Sequence, residues 1–243
     1  MAAKLNAFEV WKAAKHGFDV WPDVGRFAEE RTPHAAIAEE DLQRMKWYGL
    51  FWRKHDRDRY MIRIRVPGCE MTAEQLRAVA FVAYQAGHGI VDVTTRGNVQ
   101  VQGLTIDKVP AVIAALEKTG LTSKQTGLDN VRNVTSHPLA GVDPEELVDT
   151  RALAREVTAL FVGNRELANL PRKFNIAFSG RRDSAPGDWT QDIAWLAAER
   201  QGRVGFRVLV GGTQGQNPHL GWHLPVFVEP DAVVAVTRAI LRV

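Results

Sequence analysis

Leu170-Pro171-Arg172-Lys173-Phe174-Asn175 sets two cations and an amide directly ahead of an apolar run, Ile176-Ala177-Phe178, that reads as a strand. Pro171 has no amide hydrogen to give to a ladder, so it can enter a strand only at its start or edge. Arg172, Lys173 and Asn175 are therefore expected at the mouth of a strand, where they can face one ligand together. Cations recur beside other strand candidates: Arg63 and Arg65 within residues 60–66, Arg96 in a turn, and Arg132 between Asn130 and Asn133. Guanidinium forks hold carboxylate or phosphate oxygens in pairs, so arginines gathered in one place suit an anion. The competing reading of each is a solvated surface arginine, and Arg65 is assigned to it.

The elements that must position these groups follow from periodicity. Residues 1–37 are Ala-rich with scattered aromatics and read as an arm whose regular structure is not legible. Residues 38–45 read as a short helix, and 46–52 as an aromatic-rich connection. Tyr60-Met61-Ile62-Arg63-Ile64-Arg65-Val66 alternates strictly, which predicts a strand with Arg63 and Arg65 on one face. Thr72 and Gln75 make a capping box for a helix carrying Leu76, Val79, Ala80, Ala83 and Tyr84 up to Gly87. Strands are expected at 90–94 and 99–104, joined by Thr95-Arg96-Gly97-Asn98, where Gly97 and Asn98 can take positive φ. A helix over 108–118 completes an order β-α-β-β-α, which points to a ferredoxin-like half-sheet within an α+β protein. Beyond the polar stretch 127–134, Asp143-Pro144-Glu145-Glu146 reads as a helix start, with helical pattern resuming over 152–161. Residues 193–198 and 204–210 read as a hairpin, 225–228 as a last strand and 231–241 as a last helix.

With 243 residues, 45% apolar and 24% charged, the chain has the composition of a soluble globular protein, expected in the cytoplasm and off the membrane. A net charge of +3 gives little support to a nucleic-acid role, and the strands lack the exposed aromatics of an RNA-binding sheet. Cys69 is the one cysteine, so this chain alone can form no disulfide and no four-thiolate site. His219 and His223 are spaced as metal ligands on a helix would be, but Pro218, Gly221 and Pro225 argue against a helix there, and no metal site is assigned.

Met61-Ile62-Arg63, Val93-Thr94-Thr95-Arg96-Gly97-Asn98-Val99-Gln100, Asp129-Asn130-Val131-Arg132-Asn133, Asn169 through Asn175, and Gly205-Phe206 through Gly212 resemble, in order, the motifs of siroheme-dependent assimilatory nitrite and sulfite reductases. The resemblance covers most of residues 41–243 and is to the first half of such proteins. It implies an arm over 1–40, a ferredoxin-like half-domain over 41–125 and an α/β domain for siroheme and substrate over 126–243. Arg63, Arg132, Lys173 and Asn175 would surround the substrate, with Asn175 able to donate a hydrogen bond to an anion oxygen. Thr94, Thr95, Arg96, Gln100, Asn130, Asn133 and Arg172 would hold the siroheme, whose eight carboxylates call for such donors. The implied reaction is reduction of nitrite to ammonium with electrons from a ferredoxin-type donor, sulfite being the alternative substrate. A non-catalytic module binding a tetrapyrrole or a partner chain is the alternative outside enzymes. The [4Fe–4S] cluster of the family would need cysteines that this chain lacks. The resemblance therefore implies a second half, supplied as further chain or as a partner, without which the chain is expected to be inactive.

Overall fold

The computed structural model describes residues 6–183, 187–215 and 217–243. By internal contacts the chain divides into two compact units. The first comprises Met1–Arg65, Met71–Thr94 and Val99–Leu128, and the second Val66–Glu70, Thr95–Asn98 and Asp129–Val243.

In the first unit the stretch that lacks readable periodicity holds two helices, α1 (Ala7–Ala14) and α2 (Trp21–Glu29), with Val24, Phe27 and Ala28 of α2 buried, and the short helix expected over 38–45 forms as α3 (Glu39–Arg44). The expected connection over 46–52 ends in a short strand, β1 (Leu50–Trp52), which pairs antiparallel with β2 (Tyr60–Ile64). Then follow α4 (Ala73–Ala86), β3 (Val91–Val93), β4 (Val99–Leu104) and α5 (Val109–Glu117), which gives the expected β-α-β-β-α order. The sheet order is β1-β2-β4-β3, antiparallel throughout. The capping box of α4 forms, Thr72 Oγ1 accepting from Gln75 N at 3.2 Å and Gln75 Oε1 from Thr72 N at 3.0 Å. Its buried stripe is Val79, Val82, Ala83 and Ala86, while Leu76 and Tyr84, expected on that stripe, are exposed.

Alternation along β2 misleads in one respect. Met61 is as buried as Ile62 and Ile64, because both faces of the strand are covered, and Arg65 just past it is 1% exposed rather than solvated. Arg65 Nη2 donates to Lys124 O at 3.2 Å and Gln125 O at 2.7 Å, so backbone carbonyls take the place of water.

The second unit carries β5 (Val134–Ser136), α6 (Arg151–Phe161), β6 (Ile176–Ser179), β7 (Ile193–Arg200), β8 (Arg203–Val210), β9 (Trp222–His223) and α7 (Val233–Leu241). Its five strands run in chain order, β5, β6 and β7 parallel, β8 and β9 antiparallel. The β7–β8 hairpin closes through Gln201 and Gly202 with φ of 54° and 75°, the left-handed pair a two-residue turn needs. Phe178, Trp195 and Phe206 meet at ring centroids 6.0 to 6.1 Å apart, and this cluster is packed by Val157 and Phe161 of α6 and Val233 of α7.

Two expected elements differ. Residues 143–146 form a turn, not a helix start, because Asp143 Oδ1 takes the Glu145 amide at 2.9 Å and Glu146 Oε2 takes the Gly141 amide at 2.7 Å. These side chains satisfy the amides locally, and Leu147 N then bonds Gly180 O at 2.8 Å, so the helix waits until Arg151. The last strand lies at Trp222–His223, and of residues 225–228 only Val228 bridges, to Phe206.

Candidate functional site

In the second unit, two asparagines lace together the segments that carry cations. Asn133 is fully buried, and its Nδ2 donates to Val66 O at 2.8 Å and Arg96 O at 2.7 Å. Asn98, read in the sequence as a positive-φ turn residue, instead accepts from Val66 N at 3.3 Å through Oδ1 and donates to Arg132 O at 3.0 Å through Nδ2. Gly97 alone takes the positive φ in that turn, 68°, with Cys69 packed where a side chain would stand. The backbones of Arg96 and Arg132 are thus fixed by amides.

The stretch before β6 is a turn, as its proline requires. Leu170 N bonds Asp129 O at 2.8 Å, Arg172 Nε bonds Asp129 Oδ1 at 3.1 Å, and Arg132 N bonds Phe174 O at 2.9 Å. Lys173 sits at φ 69°, a left-handed conformation that costs a residue with a Cβ about 1–2 kcal/mol. Arg172 and Lys173 are exposed, so the cations at this strand mouth are open to solvent rather than buried. Asn175 is half-buried, and both its backbone N and its Nδ2 donate to Asp192 Oδ2, at 2.8 and 3.3 Å. The carboxylate takes one of the two Nδ2 hydrogens, and Oδ1 is buried without a hydrogen bond.

Charge in this unit is uneven. Burial and then the neighbouring Arg96 charge push the Arg132 guanidinium below its ordinary value, with Asp192 acting the other way. Burial pushes the Asp192 carboxyl up, against the pull of the Asn175 hydrogen bonds and the Arg96 charge. The structure therefore brings Arg96, Arg132, Asn175 and Asp192 within electrostatic reach. Asp192 was missed in the sequence, where an aspartate ahead of an apolar run marks a strand entry and nothing more. Asn130 and Asn133 are fully buried, and Asn133 serves the backbone. Thr95 is exposed.

In the first unit, Arg63 lies half-buried with its guanidinium 4.5 Å from the Phe51 ring centroid, and its Nη1 donates to Thr126 O at 3.0 Å. Gln100 pairs with Arg63 across β2 and β4, and with its amide oxygen turned to Arg63 it accepts from Nε and Nη2 at 3.1 Å each. Gln100 thereby orients Arg63, a role its spacing did not reveal. Thr94 is half-buried. Among the described residues no three His, Cys, Asp or Glu side chains gather as metal ligands, and no helix is long and apolar enough to cross a membrane.

Comparison with known proteins follows this geometry. Residues 127–243 match the family model of the nitrite and sulphite reductase 4Fe-4S domain, and residues 52–119 that of the nitrite/sulfite reductase ferredoxin-like half domain. Similar curated proteins include a ferredoxin–nitrite reductase of Leptolyngbya laminosa, 40% identical over 98% of this chain and 48% of its own length. The chloroplastic ferredoxin–nitrite reductase of Oryza sativa subsp. japonica is 41% identical over 98% of this chain and 42% of its own. Among solved structures, the NirA protein of Mycobacterium tuberculosis superposes with a TM-score of 0.90 at 27% identity, covering 98% of this chain and 46% of that one. The chain spans about half the length of the curated relatives it matches.

Proposed function

Because the chain belongs to the nitrite and sulphite reductase family, we propose that it serves the reduction of nitrite to ammonium, with a ferredoxin-type protein as electron donor. The observation that carries the reading is Arg132, a half-buried cation whose charge is disfavoured by burial and by Arg96 and compensated in part by Asp192. A bound anion would relieve that imbalance, and preorganised cations are what stabilise oxygen leaving an oxyanion.

Exposed Thr95 and Arg172 and half-buried Arg96 fit a carboxylate-rich ring. Asn133 supports these contacts by fixing the Arg96 carbonyl. When bound, siroheme supplies the iron centre through which electrons reach the anion. A [4Fe–4S] cluster does not fit this chain, whose one cysteine, Cys69, cannot provide four thiolates.

The chain's own residues divide the remaining work. Arg132 binds the oxyanion by charge-assisted hydrogen bonds. Each oxygen departs as water and needs protons, which Lys173 Nζ can donate. Its exposure lets bulk solvent restore the proton after each transfer. Strain at Lys173 agrees with a placement kept for chemistry rather than for packing.

The test is nitrite titration of the siroheme-loaded chain, followed by visible absorption, in the parent and in Arg132→Gln. Loss of one charged partner should weaken nitrite binding by about tenfold or more. Identical titrations would remove Arg132 from the site and the reading with it.

A further inference from the structure

The second sheet ends in a free edge made by β9 and the residues that continue it. Leu224 N bonds Val208 O at 2.9 Å, and Val228 and Phe206 exchange backbone bonds at 2.8 and 3.0 Å, so residues 224 and 228 turn their backbone groups toward β8. His223 and Phe227, their neighbours in the chain, turn theirs outward by the alternation of an antiparallel ladder. The side chains divide the other way, across the two faces of the sheet. Leu224 and Val228 join the core under α7, while the Phe227 ring lies over Gly205 on the opposite face, 2.6 Å from where a Cβ on that glycine would stand.

Each face of the edge carries a groove. The one on the α7 side has a volume of about 710 Å³ and is walled by Arg203, Glu229, Ala232 and Val236. The one on the other face, of about 390 Å³, is walled by Ala198, Arg207, His223 and Pro225. Arg200, Leu224, Val226 and Phe227 line both, so the grooves meet along the edge. Large apolar groups are left open there, Trp222 being 77% exposed and Val226 46%. Charge is unbalanced as well. Arg203 is paired with Glu229, and Glu199 with Arg182, whereas Arg200 and Arg207 make no ion pair among the described residues. Asp231 lies in the α7-side groove only. The eight residues of β7 rise about 23 Å from the Asp192 end to Arg200, so this edge is remote from the cations before β6.

We propose that this edge docks a partner protein by strand addition, the occupant being a short extended segment in which apolar and acidic side chains alternate. Side chains of an extended segment point by turns to the two faces, and here each face has a groove to take them. Apolar groups enter on the α7 side beside Val226 and Val236, and carboxylates on the other face meet Arg200 and Arg207. The outward backbone groups of His223 and Phe227 supply the ladder. Pro225 between them has no amide hydrogen, which keeps the pairing short and bars open-ended stacking of strands.

The test uses the whole 15N-labelled chain and two peptides, acetyl-Glu-Leu-Glu-Val-Glu-Leu-Glu-amide and its counterpart with lysine in place of glutamate. The acidic peptide should shift the His223 and Phe227 amide signals and slow their hydrogen exchange, with an affinity at least about tenfold above that of the lysine peptide. Arg207→Glu should weaken it by about tenfold or more, and Val226→Asp should abolish it; both positions are exposed, so the fold is kept. No shift of those signals at millimolar acidic peptide, or equal affinity for the two peptides, overturns the proposal. So do shifts confined to Val91–Val93, the edge of the first sheet, or binding that Val226→Asp leaves unchanged. A dimer seen by light scattering without peptide and lost in Val226→Asp would make the occupant a second copy of this chain and overturn the assigned partner.

Discussion

Replacing Asn133 tests whether one amide holds the cation-bearing segments of the second unit in place. Its Nδ2 supplies hydrogen bonds of 2.8 Å to Val66 O and 2.7 Å to Arg96 O, while its Oδ1 is buried without a partner. Asn133→Ala therefore loses two donors and no acceptor function. Each bond contributes about 1 kcal/mol net, and the Val66 carbonyl keeps the Cys69 amide at 3.0 Å, so the expected loss is about 2 kcal/mol. With a urea slope of about 2–3 kcal/mol/M, the midpoint should fall by about 1 M. Fluorescence and circular dichroism are read together, since coincident curves are needed before one free energy is assigned. Asn133→Asp is the sharper variant, because it keeps the shape and sets an acceptor against two carbonyls. It should be at least as damaging as alanine. An aspartate variant whose midpoint lies within about 0.3 M of the parent would refute the donor role and the arithmetic built on it.

Two glycines at similar φ should separate strain from crowding. Gly202→Ala at φ 75° has open space around the new Cβ and should cost about 1 kcal/mol, whereas Gly97→Ala at φ 68° places its Cβ onto Cys69, 2.7 Å from that residue's Cβ, and should cost about 3 kcal/mol. Equal losses in denaturant unfolding would show that Cys69 yields freely. Asp192 should also leave a mark on the pH dependence of stability. Its carboxyl is pushed up by burial, so the folded state binds the proton more tightly than the unfolded chain, and stability falls as pH climbs from about 4 through the folded value. The difference in unfolding free energy between Asp192→Asn and the parent should therefore grow in favour of the variant over that window. A difference of opposite sign would mean that attraction to Arg96 and Arg132 outweighs burial.

Much of the fold was legible because its signals are local. The capping box at Thr72 and Gln75 and the hairpin over 193–210 each need only neighbouring residues, and both formed as read. The β-α-β-β-α order followed from local periodicity over 60–118, whereas β1 was hidden in an aromatic stretch with no alternation to show it. Arg65 shows where alternation runs out, since period two assigns a face but does not say whether that face is covered. The candidate site was legible as residue types at strand ends. The partners of those residues were not, because they lie far apart in sequence: Gln100 bonds Arg63, Asn133 bonds Val66, and Asp192 bonds Asn175. Asn98 was read as a turn former for its φ preference, and the structure uses its amide instead.

The second unit borrows Val66–Glu70 and Thr95–Asn98 from stretches whose flanks belong to the first. This interleaving bears on the order in which the chain can fold. The Val66 to Asn133 bond spans 67 positions and the Arg96 to Asn133 bond 37, so both must await closure of long loops whose entropy is lost before the contacts form. The hairpin β7–β8 joins neighbouring residues, so the amide lacing around Arg96 and Arg132 carries the larger closure entropy. The cations would then acquire their fixed geometry only as the chain completes its native state.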